Sequence, residues 1–275
     1  DTYFSNLQPD LSNDAWQFDI SDATHPVTRV LEVVNSGKGD LILGQKGAFP
    51  QWAGGDGSDS YYYMGNFADI GGTNAVTDMS FATKDTGDIM LRDIRNVDAL
   101  ERFDAHATAS GDIFINSVGL GLALGFNNPA PFDAARYLDE VHLSSAQGST
   151  TNVNIINALG DLTSPVLSNG ATISEITLDA QNDSETNLWY LGAGDVEKTT
   201  ITIANGGSVG VGTWILANNI NDGNSLGTLT ASGAGIFAEG DWQESDRGDG
   251  GHWFTFANQA IKTQDYSGLT ADTVH

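Results

Sequence analysis

The chain has no cysteine among its 275 residues, which excludes a disulfide staple and any thiolate metal site. A chain this long buries enough apolar surface to do without one. Long hydrophobic runs are also missing. The apolar segments are short and interrupted, none near the roughly 20 residues a membrane helix needs, so no spanning helix is expected and the protein reads as soluble, with no membrane insertion. Basic residues are scarce: 11 Lys and Arg stand against 36 Asp and Glu, a net charge of −25. Such a surface repels nucleic acid and anionic lipid and attracts cations. Self-repulsion opposes the compact state, and divalent ions or high salt relieve it. The chain opens at Asp1 with no methionine and no signal-like apolar segment, as expected of a mature or excised piece.

What is abundant is punctuation. Glycine (33 residues), Asn, Asp, Ser and Thr run the whole length and cut the chain into apolar runs of a few residues, the pattern of an all-β protein. Strands are expected at Asp40 to Leu43, Ile89 to Leu91, Ile113 to Val118, Val153 to Ile156, Ile173 to Leu178, Leu188 to Leu191, Thr199 to Ala204 and Val209 to Leu216. Helical spacing is rare. Ile94, Val97, Leu100 and Phe103 fall three apart, Pro131 to Leu138 is a second short candidate, and Pro26 to Val34 is ambiguous.

Self-comparison says more. "GDLIL" (39–43), "GDIML" (87–91) and "GDIFI" (111–115) share the form Gly-Asp-φ-x-φ, where φ is apolar, and the first interval is twice the second. "LDEVHL" (138–143) and "ISEITL" (173–178) place Glu140 and Glu175 in matching frames, with "ALERF" (99–103) a weaker relative. Each unit is strand, polar loop, strand. Units of this kind suggest coils that bury their apolar residues only against their neighbours, as in a parallel β-helix or β-roll; a β-sandwich with similar strands is the alternative. The division expected is an N-terminal segment (1–28), a repeat body (29–235) and a C-terminal antiparallel hairpin cap (236–275). In the last, aromatic strands flank an acidic tip and shield an open sheet edge.

The stretch "GGDGSDSYY" (54–62) bears on function. Calcium takes six to eight oxygens from carboxylates and backbone carbonyls, and a glycine-rich turn ending in Asp offers both. Gly54, Gly55, Asp56, Gly57, Ser58, Asp59, Ser60 and Tyr61 match the nonapeptide Gly-Gly-x-Gly-x-Asp-x-φ-x of parallel β-rolls. Two nonapeptides upstream, "SGKGDLILG" (36–44) sets Gly37 against Gly55, Gly39 against Gly57 and Leu43 against Tyr61. Leu41 stands where Asp59 does, so that turn lacks its carboxylate unless Asp40 substitutes or Asp56 supplies the oxygens instead. A plain glycine turn is the competing reading.

In these residues the chain resembles the RTX family, secreted calcium-binding repeat proteins of Gram-negative bacteria. Phrases such as "VDALERFDAHATASGDIFI" are similar to the strand repeats of bacterial surface-layer and adhesin proteins. The resemblance implies secretion without a cleaved N-terminal signal, folding outside the cell and a calcium site at Gly55, Asp56, Gly57 and Asp59, completed by a stacked turn that includes Asp40. A second acidic group, Asp241, Glu244, Asp246 and Asp249 with Glu239, is accompanied by Trp242, His252 and Trp253. It reads as a calcium site, a sugar-binding tip or a solvated loop.

The five histidines show no paired metal spacing, and His142 reads as structural. "SVGLGLALGF" (117–126) lacks the strand–helix setting of a dinucleotide loop. Arg92, Asp93, Arg95, Asp98, Arg102, Asp104 and His106 mix acid–base types, but dense mixed charge reads first as a solvated face. The function expected is an extracellular calcium-binding structural protein of the cell surface, a surface-layer, matrix or adhesin component. Its expected partners are further copies of itself or a cell-surface glycan. The alternatives are a β-helix polysaccharide lyase or epimerase and a carbohydrate-binding module.

Overall fold

The computed structural model describes residues 7–10, 15–19, 30–42, 69–71, 76–94, 97, 99–119, 137–155, 171–216, 226–239, 263–269 and 273–274. Among them the chain is all β, with no helix. The strands fall into two sheets. The first contains, in order, β1 (Leu7–Asp10), β2 (Ala15–Asp19), β5 (Asp69–Gly71), β7 (Ile89–Ile94), β9 (Ile113–Val118), β11 (Thr150–Ile155), β14 (Glu185–Ala193), β16 (Ser208–Leu216), β18 (Ile236–Glu239) and β20 (Thr273–Val274), with β4 (Leu41–Ile42) beside β7. The second contains β3 (Val30–Asn35), β6 (Asp78–Thr83), β8 (Arg102–Ala107), β10 (Glu140–Ser145), β13 (Glu175–Gln181), β15 (Asp195–Ala204), β17 (Leu226–Gly233) and β19 (Thr263–Leu269), with β12 (Thr172–Ile173) beside β15.

From β6 onward the chain passes alternately through the second sheet and the first. Apart from the antiparallel β1–β2 pair, every pairing is parallel. The sandwich alternative fails on this point, because sandwiches are built from antiparallel sheets. The three Gly-Asp-φ-x-φ segments lie side by side: Leu41 pairs with Ile89 and Ile89 with Ile113. Glu140 pairs with Glu175, and Arg102 of "ALERF" with Glu140. The internal similarities therefore mark positions that stack.

Alternation of side chains across each strand sends one set inward. In the second sheet Leu31, Met79, Phe103, Val141 and Ile176 form one column, and Val33, Phe81, Ala105, Leu143, Leu178, Ile201 and Ala231 the next. All are buried. Large side chains sit beside small ones: Phe81 faces Ala105 in register and packs its ring 5.7 Å from that of Phe103. The first sheet contributes Ile94, Val118, Ile155, Leu191 and Trp214 in one column, and the Trp214 Nε1–H donates to the Leu188 carbonyl at 3.1 Å. Each such side chain is worth about 1.5–3 kcal/mol on burial, against about 1 kcal/mol for a typical hydrogen bond. Apolar columns, not polar turns, hold the two sheets together.

The helix expected across Ile94, Val97, Leu100 and Phe103 is absent. Ile94 ends β7, Phe103 lies in β8, and all four side chains are fully buried. Val97 and Leu100 are buried on the link between β7 in one sheet and β8 in the other, so the spacing by three belongs to the passage between sheets and not to a helix. At the next two strands of the second sheet Leu138 and Ile173 take the place of Leu100, both buried, Leu138 just before β10 and Ile173 in β12, just before β13. Of the second helical candidate, Tyr137 is in a turn and Leu138 precedes β10; its other residues lie outside those described. The ambiguous Pro26 to Val34 segment ends in a strand, β3. The expected C-terminal hairpin falls mainly outside the described residues. Those described extend the two sheets: β18 pairs in parallel with β16 and β20, and β19 with β17.

Candidate functional site

Residues 54–62, with Gly55, Asp56, Gly57 and Asp59, lie outside the described residues, as do Asp241, Glu244, Asp246 and Asp249. Asp40 is described. It is exposed at the end of the turn after β3, and its Oδ1 accepts a hydrogen bond from the Asp88 N–H at 3.3 Å. The same bond recurs at the neighbouring strands. The Asp112 N–H donates to Asp88 Oδ1 at 2.8 Å and the Thr150 N–H to Asp112 Oδ1 at 2.7 Å. Asp40, Asp88 and Asp112 thus form a ladder in which each carboxylate caps the backbone at the start of the next strand of the sheet. Leu41, in the place of the missing Asp59 equivalent, packs against the core instead.

Stacking like charges has a cost. Burial pushes the Asp88 carboxyl above its ordinary value; the Asp112 N–H opposes this, and the Asp40 charge adds to it. Burial raises Asp112 in the same way, against the Thr150 N–H and with the charges of Asp88 and Glu185. Among the described residues no group of three or more His, Asp and Glu side chains is arranged to hold a metal ion. With one oxygen of Asp40 already taken by Asp88, the described donors do not by themselves make up a calcium shell, which needs six to eight oxygens.

A second polar constellation lies on the outward face of the second sheet. Arg102, Asp104 and His106 point out from β8, in register with Glu140, His142 and Ser144 of β10. Arg102 Nε donates to Asp104 Oδ2 at 2.9 Å, and Nη1 lies 3.4 Å from Glu140 Oε2. The hydrogen bond and charge of Asp104 hold the guanidinium above its already high value. His142 Nδ1 stands 3.3 Å from Asp104 Oδ1, a buried oxygen with no other hydrogen-bond partner, and 3.4 Å from Arg102 Nη2; with a proton on Nδ1 it donates to the carboxylate, and without one it accepts from the guanidinium. His106 Nδ1 is 2.8 Å from Ser144 Oγ, and burial pushes this imidazole below its ordinary value.

Of the seven mixed-charge residues expected on a helix, the structure brings three together on β8. Arg92 and Asp93 belong to β7 in the other sheet, and Arg95 and Asp98 are outside the described residues. Glu140, His142 and Ser144 were missed as their partners. The matching frames of "ALERF" and "LDEVHL" contain the signal, since that alignment sets Arg102 beside Glu140. His142, read as structural, is half-buried on the outward face.

Comparison with protein-family models, with curated proteins and with solved structures found no match to this chain.

Proposed function

We propose that the chain is a β-solenoid of the β-helix or β-roll type that serves as an extracellular structural component of the bacterial cell surface, in a surface layer, matrix or adhesin, and that calcium assists its folding and assembly. The observation that carries this reading is the in-register parallel pairing of successive passages through both sheets. It supports a body that grows by adding coils and spreads its outward side chains over long, regular faces. A charge of −25 on such a body supports a need for cations to relieve repulsion between coils and between copies. The carboxylates expected to bind calcium are those of the turn at 54–62, with the acidic stretch 241–249 as a second group. Extracellular calcium modules have dissociation constants of roughly 10⁻⁴–10⁻³ M, and ten times that level adds about 1.4 kcal/mol per site to the folded state.

Circular dichroism and light scattering through a calcium titration with EGTA reversal test this. β-structure and particle size should rise together and fall on chelation. Curves that ignore calcium up to roughly 10 mM, beyond the range such sites require, would remove calcium from the proposal. Asp59→Ala is the narrower check and should shift the titration to higher calcium.

A second reading, a β-helix lyase or epimerase, is favoured by the Arg102, Asp104, Glu140 and His142 group. It stays second because these side chains already satisfy one another. On this reading His142→Ala would abolish turnover of a polysaccharide with the fold intact; on the structural reading it leaves calcium-dependent assembly unchanged.

A further inference from the structure

We infer that the outward face of β14 is a binding site for a neutral pyranose glycan, with the Trp189 indole as its stacking platform. Trp189 is 39% exposed although it sits in the middle of the first sheet, with β11 on one side and β16 on the other. The strand beside it, "SVGVGTWIL", carries Gly210 and Gly212. A Cβ at Gly210 would run into Cη2 and Cζ2 of Trp189 and into Asn187 Oδ1; a Cβ at Gly212 would run into the Trp189 backbone. Two glycines in a strand interior weaken the strand and mark a close approach. Here they let the indole lie across the neighbouring strand, where a side chain at Gly210 would lift it off.

Beneath the ring edge lies a second, independent feature. Asn187 is 1% exposed; its Nδ2 donates to Glu185 Oε1 at 2.6 Å, and its Oδ1 is buried without any partner. A buried acceptor that lacks a donor is costly. A hydroxyl arriving as the indole tilts away from Gly210 supplies that donor. An aromatic face, an acceptor in need of O–H and a carboxylate beside it match a pyranose, which alternates a C–H face with hydroxyl edges. An apolar protein surface would cover the ring and leave Asn187 Oδ1 unsatisfied. Glu185 and the overall negative charge turn away uronates and sulfated sugars. The source of the glycan rests on the cell-surface reading; the site itself does not depend on calcium.

Native gel electrophoresis through hydroxyethylcellulose, laminarin or galactomannan, with alginate as the anionic comparison, tests it in both calcium and EGTA. Migration should slow in at least one neutral polymer and not in alginate, and that polymer should shift the tryptophan emission. Trp189→Ala should weaken binding about tenfold or more, equivalent to about 1.4 kcal/mol, while Trp189→Tyr retains most of it. If Trp189→Ala changes the circular dichroism spectrum, Asn187→Ala replaces it and should also weaken binding. Unchanged migration in every neutral polymer, slowing confined to alginate, or slowing that survives these substitutions overturns the proposal. So does self-association by light scattering that Trp189→Ala abolishes, which would make a second copy the occupant. Glycan binding that persists in EGTA without any calcium response would retain this site and remove the calcium reading.

Discussion

The corner that leads from the second sheet into the first is built one way in residues 36–112 and another way in residues 146–207. The early corners use Gly-Asp. Gly87 and Gly111 have no room for a Cβ, which would meet the carbonyl oxygens of Gly39 and Gly87 in the corner before, and Asp40, Asp88 and Asp112 cap the next backbone. The later corners use hydroxyls, amides and left-handed residues. Ser184 Oγ donates to the Ser145 carbonyl and accepts from the Gln181 N–H, both at 2.8 Å. Asn205 Nδ2 donates to Asn182 Oδ1 at 2.9 Å. Gln147 and Gly148, Asn182 and Asp183, and Asn205 and Gly206 all have positive φ, which Asn, Asp and Gly tolerate best. At the first strand residue the acceptor becomes a backbone carbonyl: the Glu185 N–H donates to Ser149 O and the Ser208 N–H to Ser184 O, each at 2.8 Å. One requirement, an acceptor for the N–H that opens each strand, thus has a charged solution and a neutral one. The charged one stacks carboxylates, and burial raises the pKa of Asp88 and Asp112 among them.

Substitutions can break this comparison from either side. The largest effect is expected at Gly111→Ala, where a Cβ meets backbone atoms that cannot step aside: a loss of about 3 kcal/mol, the upper end of overpacking, read by urea denaturation. Ser184→Ala should cost about 2 kcal/mol, because the buried Ser145 carbonyl and the part-buried Gln181 N–H lose their bonds together. Gly148→Ala, whose Cβ has open space and only a positive φ of 77° to contend with, should cost about 1 kcal/mol.

The smallest effect, and the one that separates the two chemistries, is Asp88→Asn or Asp112→Asn. A carboxyl whose folded pKa lies above its unfolded value favours the folded state at pH below that unfolded value, and this advantage is lost as the pH rises through the window up to the folded pKa. The penalty is therefore fully present at neutral pH and vanishes on acidification toward 3.8, the reference value. An amide retains the Oδ1 acceptor and has no charge. Each substitution should raise stability at pH 7 by less than about 1 kcal/mol, since both groups are partly solvated, and should make no difference near pH 3. Ser184→Ala should show the same loss at both pH values.

Much of the early half can be read in the sequence because its solution is written in side chains. Gly-Asp-φ-x-φ recurs with period and identity, and Glu140 and Glu175 keep a common frame. The later corners leave little trace, because backbone carbonyls do the work and "AQGS", "NDS" and "NGG" share a conformation rather than residues. The false helix at Ile94–Phe103 arose for a related reason: a link between sheets that buries every third residue imitates one face of a helix. The Arg102–His142 group was half legible, since its partners lie on separate strands, β8 and β10, and meet only through the parallel register. Nothing in the residues alone announced Trp189, whose exposure depends on two glycines in another strand.

The parallel, in-register stack is the claim on which everything else depends, and the absence of native cysteine gives it a clean test. In the double variant Thr177→Cys with Thr200→Cys, the two half-buried outward positions are paired on adjacent strands. Parallel neighbours lie about 4.8 Å apart, within the range a disulfide spans. Thr177→Cys with Thr202→Cys offsets the pair by two residues, to about 7–8 Å. Mild oxidation followed by a mobility assay under denaturing conditions should close the first pair rapidly within one chain and leave the second open. Equal closure of both pairs, or closure of the second alone, would contradict the stacked parallel register.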